Sequence, residues 1–513
     1  MARFRVLRLR GVMCGLLVCV ACDFSSSSEP ATRTESQRLN APVPWSESPP
    51  DQFLVAEVPQ FVAVTFDDNF VSGLGDVKGG MTWVTDLLRD KTNPAGNGTS
   101  GTFDGTPVRT SFFFTSLYIE TAADNRTAWQ TAVTDGHEAA DHTVHHSDGT
   151  EFSADDWQSE IGTCRDELAS ADIGIGVSAN DVIGFRSPYL AYNPNLVPVL
   201  RQDSFVYDSS VESCWQDGED GTNCAWPYTL DAGSPDADVV TQKFQRPELS
   251  TNPGFWELPI PSLIVPSDDL AAQYGITPGL RDRIPPDMPL PSFYEKTTGK
   301  IAGLDITLFV DAGLSAAEVL GVLKYNLDLH LMGNRSPLVF VSHSHVYADN
   351  YTAAANALSV TDRQSAIASF IDYALSKPEV RMRPLRDLVS WLEAPTALNG
   401  VRLPRPPVAG AGGAGGASAG GSAANGGAQA AGSGAASGTP SSVAAGQSPG
   451  GATSAAGPGS VNGQSSCRIG DAPSSGSGLL AATWAVALLF RRRKRARALV
   501  AFARGVRARI LSA

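Results

Sequence analysis

Long apolar runs are lacking: residues 11–21 make up about half of the roughly 20 residues a membrane span needs, and residues 478–490, near the end of the 513-residue chain, form another short run. Cysteine is sparse. Of seven, Cys14, Cys19 and Cys22 lie near the start and Cys467 near the end. The three that remain, Cys164, Cys214 and Cys224, include no pair at the spacing of a zinc-binding cysteine site. Basic residues are scarce in the body of the chain. Four of the 39 fall in residues 1–22 and nine in residues 491–513, stretches without any acid, so the remainder sets 26 basic against 53 acidic residues, a net of −27. Such a body disfavours nucleic acid and anionic membrane as partners and suits a neutral or cationic substrate. Histidine is rare as well, yet four of the seven crowd into residues 136–146, "GHEAADHTVHH".

The composition divides the chain. Residues 1–22 have a basic start, an apolar run and then "CVAC", the order of a secretory signal peptide of the lipoprotein type, with Cys22 as the lipidated residue. Cys19 stands where such signals usually carry Leu. Residues 23–51 form a Ser/Pro-rich tether, and residues 401–466 are nearly all Gly, Ala and Ser. That composition has too little apolar surface to offset its ordering entropy and reads as a disordered linker. Residues 467–513 hold Cys467, a short apolar segment and an Arg-rich tail. They resemble the C-terminal sorting signals of myxobacterial surface proteins, with an ordinary stop-transfer anchor as the alternative. An exported chain held at the cell envelope by lipid or tail is expected. Cys214 and Cys224 flank "WQDGEDGTN", a loop that a disulfide could close in an oxidising compartment.

Residues 52–400 are left as one globular domain, expected to be monomeric. "QFVAVTFDD", "VRTSFFFTSL", "HEAADH", "DVIGFRSP", "FVYDSS", "FWELPIPSL" and "PLVFVSHSH" read as strands, and between several of them lie stretches with helical spacing, such as "ADDWQSEIGTCRDELA". Repeated strand–helix units imply an α/β fold with a parallel sheet, barrel or open. Asp67, Asp68, His142, Arg186, Asp208 and His343 all fall at C-terminal strand ends, the edge where such folds assemble sites.

A divalent-metal site needs His nitrogens and a carboxylate converging from one face. His142 and His146 would share a face of a helical turn leaving the strand, but His142 and His145 would nearly do so too, and spacing does not choose. Adjacent acids in "TFDD" point in different directions, so one can bind metal while the other handles protons.

Together the motifs "VAVTFDD", "HEAADHTVHHSDG", "GFRSPYL", "FVYDSSV", "FWELPIPSL", "PLVFVSHSHVY" and "LVSWL" resemble, in order, those of the polysaccharide deacetylases (carbohydrate esterase family four, the NodB homology domain), in their chitin-deacetylase-like branch. The resemblance implies a distorted (β/α) barrel. It implies Asp67 as catalytic base, Asp68, His142 and His146 as metal ligands, Arg186 orienting Asp67, the Tyr189 backbone N–H at the oxyanion, and His343 rather than His345 as general acid. His145 would be a bystander and His137 a support for its strand. The cofactor implied is a divalent ion, Zn²⁺ first, with Co²⁺, Ni²⁺ or Mn²⁺ as alternatives. The implied substrate is polysaccharide with N-acetylglucosamine units, chitin-like or peptidoglycan. The alternatives are a catalytically weak or inactive surface carbohydrate-binding protein, or a deacylase for exopolysaccharide or xylan O-acetyl esters. The role of Asp208 stays open, because the tryptophan of some family members is missing near it. Trp215, Trp226, Trp256 and Tyr189 could line a sugar groove, each being also a candidate for core packing. The insertions at residues 90–109 and 211–247 are expected to shape substrate choice.

Overall fold

A computed structural model describes residues 42–121, 123–286, 288, 293–353 and 358–400. The expected signal peptide, most of the expected tether, the Gly/Ala/Ser-rich segment and the Arg-rich tail lie outside the described residues. Among the described residues no helix is long and apolar enough to cross a membrane.

Thirteen strands occur in the described residues: β1 Gln60–Asp68, β2 Ser111–Phe114, β3 Glu138–Asp141, β4 Gly184–Phe185, β5 Tyr207–Asp208, β6 Glu212–Ser213, β7 Tyr228–Leu230, β8 Asn252–Glu257, β9 Ile260–Pro261, β10 Leu263–Ile264, β11 Lys300–Ile301, β12 Leu338–His343 and β13 Val380–Met382. The main sheet runs β12-β1-β2-β3-β4-β5-β8-β7, with β13 pairing the first residues of β1. Its ladders are parallel except β7 against β8. This is the α/β distorted barrel expected, left open between β7 and β12.

β1 is buried along its whole length, so both faces need apolar side chains, as a covered parallel strand requires. Val62, Val64 and Phe66 pack outward with the flanking helices. Phe61 and Ala63 alternate to the inner face with Phe113, Ala140, Tyr207, Trp256, Val339 and Val341. The helix Leu385–Glu393 closes the bottom of that interior, inserting Leu385, Leu388, Trp391 and Leu392. Each such side chain contributes roughly 1.5–3 kcal/mol on full burial. Trp226 stacks on Trp391, and with Trp256 it belongs to this inner core. Trp215 is 3% exposed and packs in the outer core. None of the three tryptophans lines a sugar groove.

Cys214 and Cys224 form a disulfide, which closes a short loop and stabilises the fold by roughly 2–4 kcal/mol. Cys164 is the free cysteine of the described residues and is buried. The two insertions go to different places. Residues 90–109 attach to β13, where Arg381 donates to the carbonyl of Thr102 at 2.8 Å and Met382 N–H to Asn93 Oδ1 at 2.7 Å. Arg381 pairs with Phe61 at the start of β1. This insertion therefore lies at the opposite end of the barrel from Asp67 and Asp68 and does not shape a site there. Within residues 211–247, by contrast, Arg246 Nη2 donates to the carbonyl of Tyr189 at 2.8 Å.

Candidate metal centre and proton-transfer groups

β1 ends in two acids that diverge. Asp67 continues the strand, and alternation from Phe61 and Ala63 turns it into the barrel mouth. Asp68 and Asn69 then take left-handed backbone angles, φ 65° and 61°, a region non-glycine residues rarely adopt, though Asn and Asp are enriched there. The Asn69 side chain holds this kink by donating to the carbonyls of Phe66 at 2.9 Å and Phe113 at 3.0 Å. Asp68 is thereby aimed at the turn that follows β3.

That turn is not helical. Thr143 and His146 have positive φ, 65° and 52°, and the segment is tied down by Thr143 N–H to Asp141 Oδ1 at 2.8 Å and His146 N–H to Thr143 Oγ1 at 3.2 Å. The helical turn expected from the i, i+4 spacing is replaced by a strand end and an irregular turn, yet His142 and His146 still meet Asp68. His146 Nε2 lies 3.0 Å and His142 Nε2 3.6 Å from Asp68 Oδ1. The three ligand atoms are all within 4.8 Å of one another. His145 points elsewhere, its Nδ1 on Glu160 Oε1 at 2.8 Å, half exposed. His137 is buried, and its Nδ1 accepts from Thr110 N–H at 3.1 Å on the neighbouring strand. Burial, chiefly, pushes His137 down to about 3, so it stays neutral.

The donor set fits a cation. His142 Nδ1 lies 2.7 Å from the carbonyl of Arg186, and a carbonyl can only accept. The proton must therefore sit on Nδ1, leaving a lone pair on Nε2 facing Asp68, the tautomer of a metal-ligating histidine. Burial lowers His142 to about 4 against the opposing pull of Asp67, keeping it neutral. Asp68 Oδ1 is buried and receives no properly directed N–H despite the short approach of His146. Burial alone would raise the Asp68 carboxyl, but His146, with His343 and His142, together hold it well below the usual carboxylate range.

Asp67 receives Arg186 Nη1 at 2.8 Å. Arg186 is fully buried, donating also to Thr65 Oγ1 at 2.7 Å, Ser209 O at 2.8 Å and Ser209 Oγ at 3.0 Å, with its plane 4.1 Å above the Phe113 ring. A guanidinium held at so many points fixes the carboxylate in turn. β12 pairs with β1 so that His343 is the register partner of Asp67, and both side chains face the barrel mouth. His343 Nδ1 lies 2.8 Å from Asp305 Oδ1, and its backbone N–H donates to Asp305 Oδ2 at 2.8 Å. Burial would lower His343, but the charge and hydrogen bond of Asp305, joined by the charges of Asp68 and Asp67, together raise the imidazole to about 9. His345 stacks on Phe70 at 4.4 Å, with Nδ1 3.9 Å from Asp68 Oδ2. Burial pushes it down to about 3.

The structure thus brings together Asp67, Asp68, His142, His146, Arg186 and His343. Tyr189 borders them, 62% exposed, its ring edge-on to His146 at 4.6 Å. Asp208 does not join. Tyr207 faces the interior, so Asp208, the next residue, faces outward, where it interacts with Glu257 and burial raises it to about 6. Asp305 escaped the sequence reading. Its only signal is a lone acid among apolar neighbours in "AGLDITLFV", and a bridge from Leu304 to Val341 brings it beneath β12.

Residues 57–207 match the polysaccharide deacetylase family. The match spans Asp67, Asp68, His142, His146, Arg186 and Tyr189. Chitin deacetylase 1 of Bombyx mori is 25% identical over 168 residues, 32% of this chain. The aligned part is 27% of that curated relative's length, about a quarter. A family 4 carbohydrate esterase from Streptomyces lividans, solved in complex with acetate, is 14% identical with a TM-score of 0.28, over 63% of this chain and 90% of that one. A probable polysaccharide deacetylase from Pseudomonas aeruginosa is likewise 14% identical, with a TM-score of 0.38, over 67% and 94%.

Proposed function

We propose that the chain is a metal-dependent hydrolase that removes N-acetyl groups from polysaccharide containing N-acetylglucosamine, chitin-like or peptidoglycan. The observation that carries this reading is the His142 tautomer. Its Nδ1–H is committed to a carbonyl, so its Nε2 lone pair faces the point approached by Asp68 and His146, beside a buried Asp67–Arg186 pair and a His343–Asp305 pair. The family match supports the reaction class. Asp68, His142 and His146 would hold the ion, and a His₂–carboxylate set suits Zn²⁺, with Co²⁺, Ni²⁺ or Mn²⁺ as alternatives. The ion supplies Lewis acidity toward the acetamide carbonyl and toward water.

The chain supplies the rest. Asp67, held by Arg186, takes a proton from the attacking water as the C–O bond forms. The backbone N–H of Tyr189 donates to the oxyanion. His343, charged at neutral pH, gives its Nε2 proton to the leaving nitrogen as the C–N bond breaks, yielding acetate and an amine. Export and attachment at the cell envelope belong to the same proposal and rest on the terminal sequences alone. Acetate release from chitin oligosaccharides should stop with a chelator and return with added Zn²⁺. Release that continues in chelator would remove the metal from the reading.

The His343–Asp305 pair adds a pH dependence. A pKa raised from 6.5 to about 9 contributes stability that is fully present below pH 6.5 and is lost as pH rises through about 9. Activity that needs charged His343 should fall over the same alkaline limb. Asp305→Asn removes the main raising influence, so the decline should begin at lower pH. A pH–rate profile of the two proteins checks this, and an unmoved limb would mean that Asp305 does not set it.

A further inference from the structure

A groove of about 660 Å³ lies on the outer side of the loops that border the metal centre, and nothing in the hydrolytic reading uses it. It is lined by Gly73, Lys78, Gly79, Trp83, Asp349 and Gln364, among others. The same two segments serve both places. Phe70, on the first, stacks on His345, on the second, beside Asp68. A few residues further along each, Lys78 N–H donates to Asp349 Oδ1 at 3.0 Å and Asp349 N–H to the carbonyl of Lys78 at 2.9 Å, forming the groove wall. Gly79 has φ 91°, and a Cβ there would meet Tyr347 O at 2.2 Å, so the two segments close together only with glycine.

The groove carries an aromatic platform with polar groups around it. Trp83 stacks on Tyr347 with ring centroids 5.1 Å apart and planes at 26°. Tyr347 is fully buried, and Trp83 remains half-buried against the groove. Its indole N–H has no hydrogen-bond partner among the described residues. Gln364 donates its Nε2–H to Tyr347 O at 2.9 Å, which fixes the amide. Lys78, Asp86 and Asp349 are exposed charges at the rim. A flat apolar ring, an N–H donor unpaired among the described residues and fixed polar groups suit a pyranose, which offers an apolar C–H face and a periphery of hydroxyls.

We propose that this groove binds a sugar unit of the same polysaccharide some residues away from the one being deacetylated, with Trp83 as its platform. The inference rests on the hydrolase reading for the identity of the polymer. It makes the substrate an extended chain rather than a short oligosaccharide.

The test compares the N-acetylglucosamine pentamer with the dimer, the longer chain being the one expected to gain from the groove. Trp83→Ala should raise KM for the pentamer roughly tenfold, leaving kcat for the pentamer and kcat/KM for the dimer unchanged. Gln364→Ala, at the rim, should move the same quantity in the same direction by less. Unchanged dimer turnover shows that the variant is folded. Equal effects on both substrates, or on neither, would overturn the proposal. Calorimetric binding of the pentamer to Asp67→Asn, with and without Trp83→Ala, separates the two readings. Trp83-dependent binding by a chain whose parent releases no acetate would keep the groove and remove the hydrolase. Acetate release without Trp83-dependent pentamer binding would do the reverse.

Discussion

His142→Ala and His146→Ala should each lose metal, while His145→Ala should keep it. Removing an outer-shell partner of a metal ligand costs tenfold to a hundredfold in affinity, so removing a ligand should cost more than roughly a hundredfold. The geometry separates the three. His142 and His146 present Nε2 to Asp68 Oδ1, whereas His145 is spent on Glu160. Metal content of the purified proteins, measured by elemental analysis, decides it without any assay of activity. A His145→Ala protein that also comes out metal-free would mean that the assignment of ligands within "HTVHH" is wrong.

Asp67→Asn should leave metal content near that of the parent and lower acetate release by roughly a hundredfold to ten-thousandfold, the contribution of a positioned general base. The substitution keeps the side chain's shape and one oxygen for Arg186, so a folding defect is not expected. Steady-state rates on chitin oligosaccharides beside metal analysis give both quantities. Loss of metal in this variant would instead make Asp67 a ligand. Loss of neither would leave the base unidentified.

Much of the fold was legible because parallel strands buried on both faces must be apolar throughout, and "QFVAVTFDD" and "PLVFVSH" show that plainly. The short strands were harder. β4 and β5 are two residues each, and their existence depends on neighbours rather than on local pattern. In the candidate site, the residues at strand ends were readable, since strand ends can be found from the sequence. The conformation of "HTVHH" was not, because two left-handed residues, Thr143 and His146, replace the helical turn. Asp208 stood at a strand end like the others, and one step of alternation set it on the far face. Asp305 illustrates the converse. It lies 38 residues before its partner, and only tertiary packing brings it to His343.

The residues proposed to accept and donate the proton are register partners on adjacent strands. Their spacing is therefore set by backbone hydrogen bonding, roughly 4.8 Å from strand to strand, and no loop has to close to establish it. The loops around the mouth can lengthen, shorten or change sequence without altering that gauge. A single-residue insertion within β12 would ruin it, since it would bring a serine into line with Asp67. Tolerance to insertion should thus divide sharply along the chain, permissive in the rim and absolute in two short stretches of sheet.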